Sequence, residues 1–262
     1  MGFVKTTAEL ASYFEVPARL FPGATMLGAT FETTPELVAR LLPPPLTPTD
    51  SPTGMVFIAQ YPQTNLGPGY REAALFLNCQ HEGEAGTYCL AMPIDSEELR
   101  LTNGRDVFGY PKKAAKIHLE RTGNVVRGWV ERQGVRFFEL SVELVAEMPE
   151  LMPTGPNFLF KALPRIDLKP GFDGPVLLCR QKTEVALKRL EVGTPAITFR
   201  QSQSDPWAEV ELVSPLAGFY LVSDNTMRPG EVIGPVDGDA FLPYYFKMVD
   251  FPAAPTAGGR HG

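Results

Sequence analysis

Residues 117–146 read IHLERTGNVVRGWVERQGVRFFELSVELVA, and two short polar breaks divide them. The breaks are Thr122-Gly123-Asn124 and Gln133-Gly134. Both contain the residues tight turns need, glycine for positive φ and asparagine for local side-chain bonding. They separate residues 117–121, 125–131 and 135–146. In the last stretch Phe138, Leu140, Val142 and Leu144 alternate with Glu139, Ser141 and Glu143, the period of two that gives a strand one buried and one wet face. Three such stretches joined by two tight turns predict an antiparallel meander.

Working outward, the same signals recur. Upstream, GMVFIA at 54–59 and residues 72–79 are apolar runs of strand length, and 85–92 returns as a hairpin partner across HEGEAG. Downstream, residues 157–163, 176–190, 196–200, 208–213 and 217–222 read as further strands. The chain has 24 Gly and 26 Pro, a punctuation that suits many short strands better than long helices. Helices are few. Residues 6–15 place Leu10 and Phe14 on one side behind a Thr6 or Thr7 cap. Thr34 caps a second helix with Pro35 in its first turn, Leu37, Leu41 and Leu42 on its buried face, and Pro43-Pro44-Pro45 as its stop. A third starts at Asp95-Ser96-Glu97-Glu98 and stops near Asn103-Gly104. This is a mainly β (α+β) pattern. No repeat or linker interrupts it, so residues 1–252 are expected to form a single domain and 253–262 a disordered tail.

Composition narrows the function. A formal charge of -6 with no basic cluster excludes nucleic acid as a partner. No stretch approaches the ~20 apolar residues a membrane span needs, and the opening MGFVKTTAELASYF has no long apolar run, so a cytoplasmic location without membrane contact is expected. Cys79, Cys89 and Cys179 are odd in number and lie in apolar surroundings, as buried thiols do. Nucleotide loops and CxxC pairs are missing, and the three histidines, at 81, 118 and 261, lack metal-ligand spacing. No metal or organic cofactor is expected.

Gly109-Tyr110-Pro111-Lys112-Lys113 carries chemistry. Adjacent lysines after a proline form a solvated turn in most chains. Here Phe108 and Tyr110 precede the pair, Ala114 and Ala115 follow it, and Pro111 fixes the backbone where the first amine projects. An ordinary lysine, with pKa near 10.4, is neutral in only about one molecule in a few thousand at pH 7. Imine formation therefore needs an amine whose charge is disfavoured by burial or by a cationic neighbour. On an extended segment Lys112 and Lys113 leave on opposite faces, so burial of Lys112 is the expected cause, with Lys113 directed to a carboxylate or to solvent.

The segment GRDVFGYPKK at 104–113 resembles the active-site segment of the acetoacetate decarboxylase family, itself the standing example of such lysine activation. TPELVARLLPPPL at 34–46, PNFLFKALP at 156–164, LLCRQ at 177–181 and GTPAITFRQSQSDPWAEVELVSPLAGFYLVSD at 193–224 follow the family's order and spacing. The resemblance covers roughly residues 24–225 and implies a closed antiparallel β-cone or barrel with a few short helices, assembled as a homo-oligomer. It assigns the Schiff-base lysine to Lys112, its neighbour to Lys113 and an active-site glutamate to Glu72. Two departures are Ala24, where the family has an arginine, and a position near Val56, where it has a second glutamate. Arg71 and Arg105 are candidate replacements for the cation, although Arg71 should face away from Glu72 on a strand. Family relatives that resemble aldolase-dehydratases use tyrosine, for which Tyr70, Tyr110, Tyr244 and Tyr245 are candidates. The implied activity is that of a Schiff-base lyase on a small keto acid, foremost decarboxylation of a β-keto acid such as acetoacetate. The alternatives are condensation of pyruvate-like acids with aldehydes, and a non-catalytic barrel that binds a small ligand.

Overall fold

A computed structural model describes residues 2–15, 18–65, 67–96, 101–151 and 154–250. The tail at 253–262, and Glu97 and Glu98 of the helix start at 95–98, lie outside the described residues. Fourteen strands dominate: β1 (Arg19–Glu32), β2 (Thr47–Pro48), β3 (Thr53–Thr64), β4 (Gly67–His81), β5 (Glu84–Ile94), β6 (Lys112–Ala114) and β7 (Lys116–Thr122), then β8 (Val125–Arg132), β9 (Val135–Glu147), β10 (Asn157–Lys161), β11 (Val176–Gln181), β12 (Thr183–Phe199), β13 (Ser214–Met227) and β14 (Glu231–Val236). They form one sheet in the order β14-β11-β10-β5-β4-β3-β1-β13-β12-β9-β8-β7, with β2 and β6 added beside β4 and β5. The path is open among the described residues: β14 and β7 are its ends, and no pairing joins them. Neighbours are antiparallel except β10 and β6, which run parallel to β5.

The meander at 117–146 is β7–β8–β9, at one end of this path. Strands β7, β8 and β9 curl back onto β1, β3 and β4, enclosing Leu27, Val56, Ile58, Leu75, Val130 and Phe138 in one core. The opposite face of β1, β3 and β4 is buried as well, through Ala24, Phe57, Ala59, Tyr61, Ala74 and Phe76. Burial on both faces is the reason β3 and β4 read as near-continuous apolar runs and not as alternation.

Three short helices described in full decorate the sheet. Helix α1 (Thr7–Phe14) opens with a reciprocal Thr6/Glu9 capping box, and α2 (Pro35–Leu41) is capped by the Thr34 hydroxyl accepting from the Leu37 amide at 3.3 Å. Helix α3 (Gly238–Tyr245), capped by Asp237, occupies a stretch the sequence pattern leaves unassigned. Two strand expectations are corrected. Residues 176–190 divide at Lys182 into β11 and the start of the long β12. Residues 208–213 are not a strand, since Trp207–Glu209 form a 3-10 turn that sends Trp207 and Val210 into the same core. A spacing of three puts two side chains on one side of a turn but on opposite faces of a strand.

Candidate active site

Alternation along β4 sends Ala73 and Leu75 to one core, and Ala74 and Phe76 to the other. Glu72 shares parity with Ala74 and is buried with it, at 7% exposure. Lys112 reaches Glu72 from a different direction. After Thr102 the chain makes a wide π-helical turn, Asn103–Phe108, closed by Gly109 at φ 88. A side chain at 109 would strain that left-handed backbone and would meet the Phe160 carbonyl at 2.6 Å. Pro111 then leads into β6, where Lys112 pairs with Met92. Gly104 makes the room, because a Cβ there would lie 2.2 Å from Cε of Lys112.

The Lys112 ammonium, 5% exposed, donates to Oε2 of Glu72 at 2.6 Å. The other carboxylate oxygen accepts from the Tyr61 hydroxyl at 3.0 Å. The rings of Tyr70 and Tyr110 stand 5.9 and 6.0 Å from the amine. Burial, reinforced by the Glu72 charge, pushes the Tyr61 phenol well above its ordinary pKa. Burial raises Tyr110 too. Its hydroxyl donates to Gln181 at 2.8 Å and accepts from Asn157 at 2.7 Å, so its hydrogen-bonding capacity is used in holding the wall. These groups face a cavity of about 240 Å³ whose remaining lining is largely apolar, including Phe21, Met26, Phe57, Met92, Phe219 and Leu221.

Lys113 leaves β6 on the other side. Its amine contacts the Ser204 carbonyl at 2.5 Å and Asp250 at 2.7 Å, with Asp205 at 3.7 Å, and Arg132 bridges the same two aspartates. Arg105 is also outside the cavity, beside Asp106 at 3.6 Å, and Arg71 turns outward to Gln60 and Asp95. Tyr244 and Tyr245, carried by α3, pack around Phe160, Phe172 and Phe241 in a separate cluster. Of the four candidate tyrosines, Tyr70 and Tyr110 line the Lys112 cavity and the α3 pair does not. Ala24 faces this side of the sheet, whereas Val56 faces the other core and its neighbour Phe57 lines the cavity. Sequence reasoning missed Tyr61, Gln181 and Arg19. Tyr61 continues the parity of Phe57 and Ala59, a signal that was present, and Gln181 ends the LLCRQ segment. Arg19, at the start of β1, lines the cavity, and no motif marks it.

The fold and the pocket define a β-sheet protein with an enclosed lysine–carboxylate site. Residues 5–235 match the model of the family described as acetoacetate decarboxylase (ADC), and the chain belongs to that family of enzymes. Acetoacetate decarboxylase of Ralstonia nicotianae is 26% identical over 213 residues, covering 78% of this chain and 83% of its own. Among solved structures, acetoacetate decarboxylase from Legionella pneumophila superposes with a TM-score of 0.79 at 17% identity, over 90% of this chain and 98% of its own. The enduracididine biosynthesis enzyme MppR, complexed with the condensation product of pyruvate and imidazole 4-carboxaldehyde, gives 0.73 at 18% identity, over 83% and 90%. No helix among the described residues is long and apolar enough to cross a membrane.

Proposed function

We propose that this chain is a lysine Schiff-base lyase that decarboxylates a small β-keto acid. The observation that carries the reading is the Lys112 amine held 2.6 Å from Glu72 inside an apolar cavity. One proton moved along that hydrogen bond converts the ion pair into a neutral amine and a carboxylic acid. A buried ion pair is poorly compensated for its lost hydration, which brings the two forms closer in energy than they would be in water. The neutral amine attacks the ketone, water leaves with the proton Glu72 returns, and a protonated imine remains. The bond to the carboxylate then breaks, carbon dioxide departs, and the electron pair moves to the imine nitrogen to give an enamine. A proton taken up from solvent and passed by Glu72, which Tyr61 orients, is added at carbon, and attack of water on the resulting imine releases the ketone and the lysine. Apolar walls favour the central step because the carboxylate's concentrated charge disperses as it breaks.

The likeness to MppR, the Tyr61 hydroxyl on Glu72 and the Tyr70 ring near the Lys112 amine support a second reading. In it an enamine formed from a pyruvate-like acid attacks an aldehyde and the adduct loses water. Borohydride reduction during incubation with a keto acid should leave a mass adduct on Lys112. Carbon dioxide release from acetoacetate then marks decarboxylation, and a new carbon–carbon bond from pyruvate plus an aldehyde marks the condensing reaction. Absence of an adduct with every keto acid tried would overturn both and leave a binding protein.

A further inference from the structure

A second cavity, of about 560 Å³, adjoins the first. Arg19, Phe108, Gln181 and Met227 line both, so the two meet at these residues. Tyr13, Phe14, Val107 and Leu159 give the outer chamber apolar walls, and its charged lining is Arg19, Lys161, Arg180 and Glu231. In a chain of net charge -6 this is a local excess of positive charge. Arg180 is taken up by Glu84 and Glu231 at 2.7 and 2.8 Å. Lys161 makes no ion pair among the described residues. Arg19 sits at the junction, its guanidinium carbon 5.4 Å from the Tyr13 ring centroid. Its Nη1 is buried with no hydrogen-bond partner among the described residues, one of two side-chain atoms in that state. A guanidinium with an unmet donor, on a side chain that lines both chambers, is the cation placed to meet an anionic group there.

We propose that the substrate is a keto acid with a second anionic group, its ketone on Lys112 and its far carboxylate at Arg19, with Lys161 beyond. The inference rests on the Schiff-base reading and deepens it. A cation on the departing carboxylate would stabilise the charge that the reaction must disperse, and so would slow the step. The same cation on a remote carboxylate supplies binding energy that offsets the desolvation of the departing one among Phe57, Met92 and Glu72. A four-carbon keto acid, by contrast, would leave the outer chamber and Arg19 unused.

The test is borohydride trapping on the whole chain with two six-carbon acids of equal length, 3-oxohexanoate and 3-oxohexanedioate, and with acetoacetate. Half-saturation of Lys112 labelling should come at about tenfold lower concentration for the diacid than for the monoacid, as one charge-assisted hydrogen-bonded contact provides. Arg19→Met should raise the diacid value by about tenfold and the monoacid value by less than about threefold. Lys161→Met, farther from Lys112 because it lines only the second cavity, should raise only the diacid value, by about two- to fivefold. Equal half-saturation for the two six-carbon acids would overturn the proposal. So would an Arg19→Met penalty as large for acetoacetate as for the diacid, which would place Arg19 on the departing carboxylate. Labelling of Lys112 by none of the three acids would instead overturn the Schiff-base reading itself.

Discussion

The proposed chemistry rests on a few atoms around Lys112, and two substitutions probe them separately. Glu72→Gln keeps the shape of the side chain but removes the carboxylate proposed to take and return the proton. Turnover should fall by about two to four orders of magnitude, and borohydride labelling of Lys112 should slow in parallel; labelling at the wild-type rate would show that Glu72 is not the acceptor. Gly104→Ala tests position without touching charge. The added methyl would lie 2.2 Å from Cε and 2.5 Å from Cδ of Lys112, so the amine must swing away from Glu72. Displacement of a reacting group by about 1 Å costs on the order of a hundredfold in rate. Gly104 lies in a helical turn without positive φ, so the backbone itself accepts alanine, and the loss of stability should be only that of the displaced Lys112–Glu72 pair, about 1 to 3 kcal/mol. A variant that keeps full activity would mean that Lys112 works from another rotamer.

At the scale of the element, β6 is three residues that present two lysines to two different environments. It hangs on β5 through its parallel pairing and through the Lys113 contacts with Ser204, Asp205 and Asp250. Lys113→Met strands Asp205 beside Arg132 alone and should lower stability by about 1 to 3 kcal/mol. Because the two amines leave on opposite faces, the midpoints of the pH–rate profile should not move. A displacement by about one pH unit or more would give the second ammonium a direct part in activating the first. The divergence of the lysines was legible in the sequence, since strand parity requires it. The meander was legible too, because each turn has its glycine and β9 has a single buried face. Parity alone could not say which of two buried faces holds the site, which is why Phe57 and Tyr61 went unnoticed behind Val56. Nor could it sort the tyrosines: Tyr70 belongs to β4, while Tyr244 and Tyr245 belong to a helix whose Pro243 and aromatic run mimic an irregular loop. The single sheet's order depends on long-range pairings such as β1 with β13, for which one sequence contains no signal.

At the scale of the whole molecule, one contribution to stability that depends on pH comes from the turn Phe246–Met248, which packs against β5. Lys247, following α3, donates to the Tyr88 hydroxyl at 2.6 Å and the Cys89 carbonyl at 2.8 Å, with its amine 4.0 Å from the centre of the Tyr88 ring. Burial lowers this amine to about 7, whereas in the unfolded chain it titrates near its ordinary value of 10.5. The unfolded state therefore binds more protons between these two values, and stability rises with pH across that window. Below about pH 7 the amine is charged in both states and the cost of burying the charge is present in full. That cost has a ceiling of about 5 kcal/mol, and the partial exposure of the stem reduces it to on the order of 2 kcal/mol. Lys247→Met removes the charge and the two hydrogen bonds together, so its net effect at one pH is ambiguous, but its pH dependence is not. Urea midpoints at pH 6.5 and pH 10 should show the variant faring better, relative to wild type, at the lower pH, with the advantage shrinking as the pH rises. A difference that is constant or that grows toward pH 10 would mean that Lys247 keeps its charge in the folded chain, with Tyr88 acting as a cation-π partner and not as the wall of a desolvated pocket.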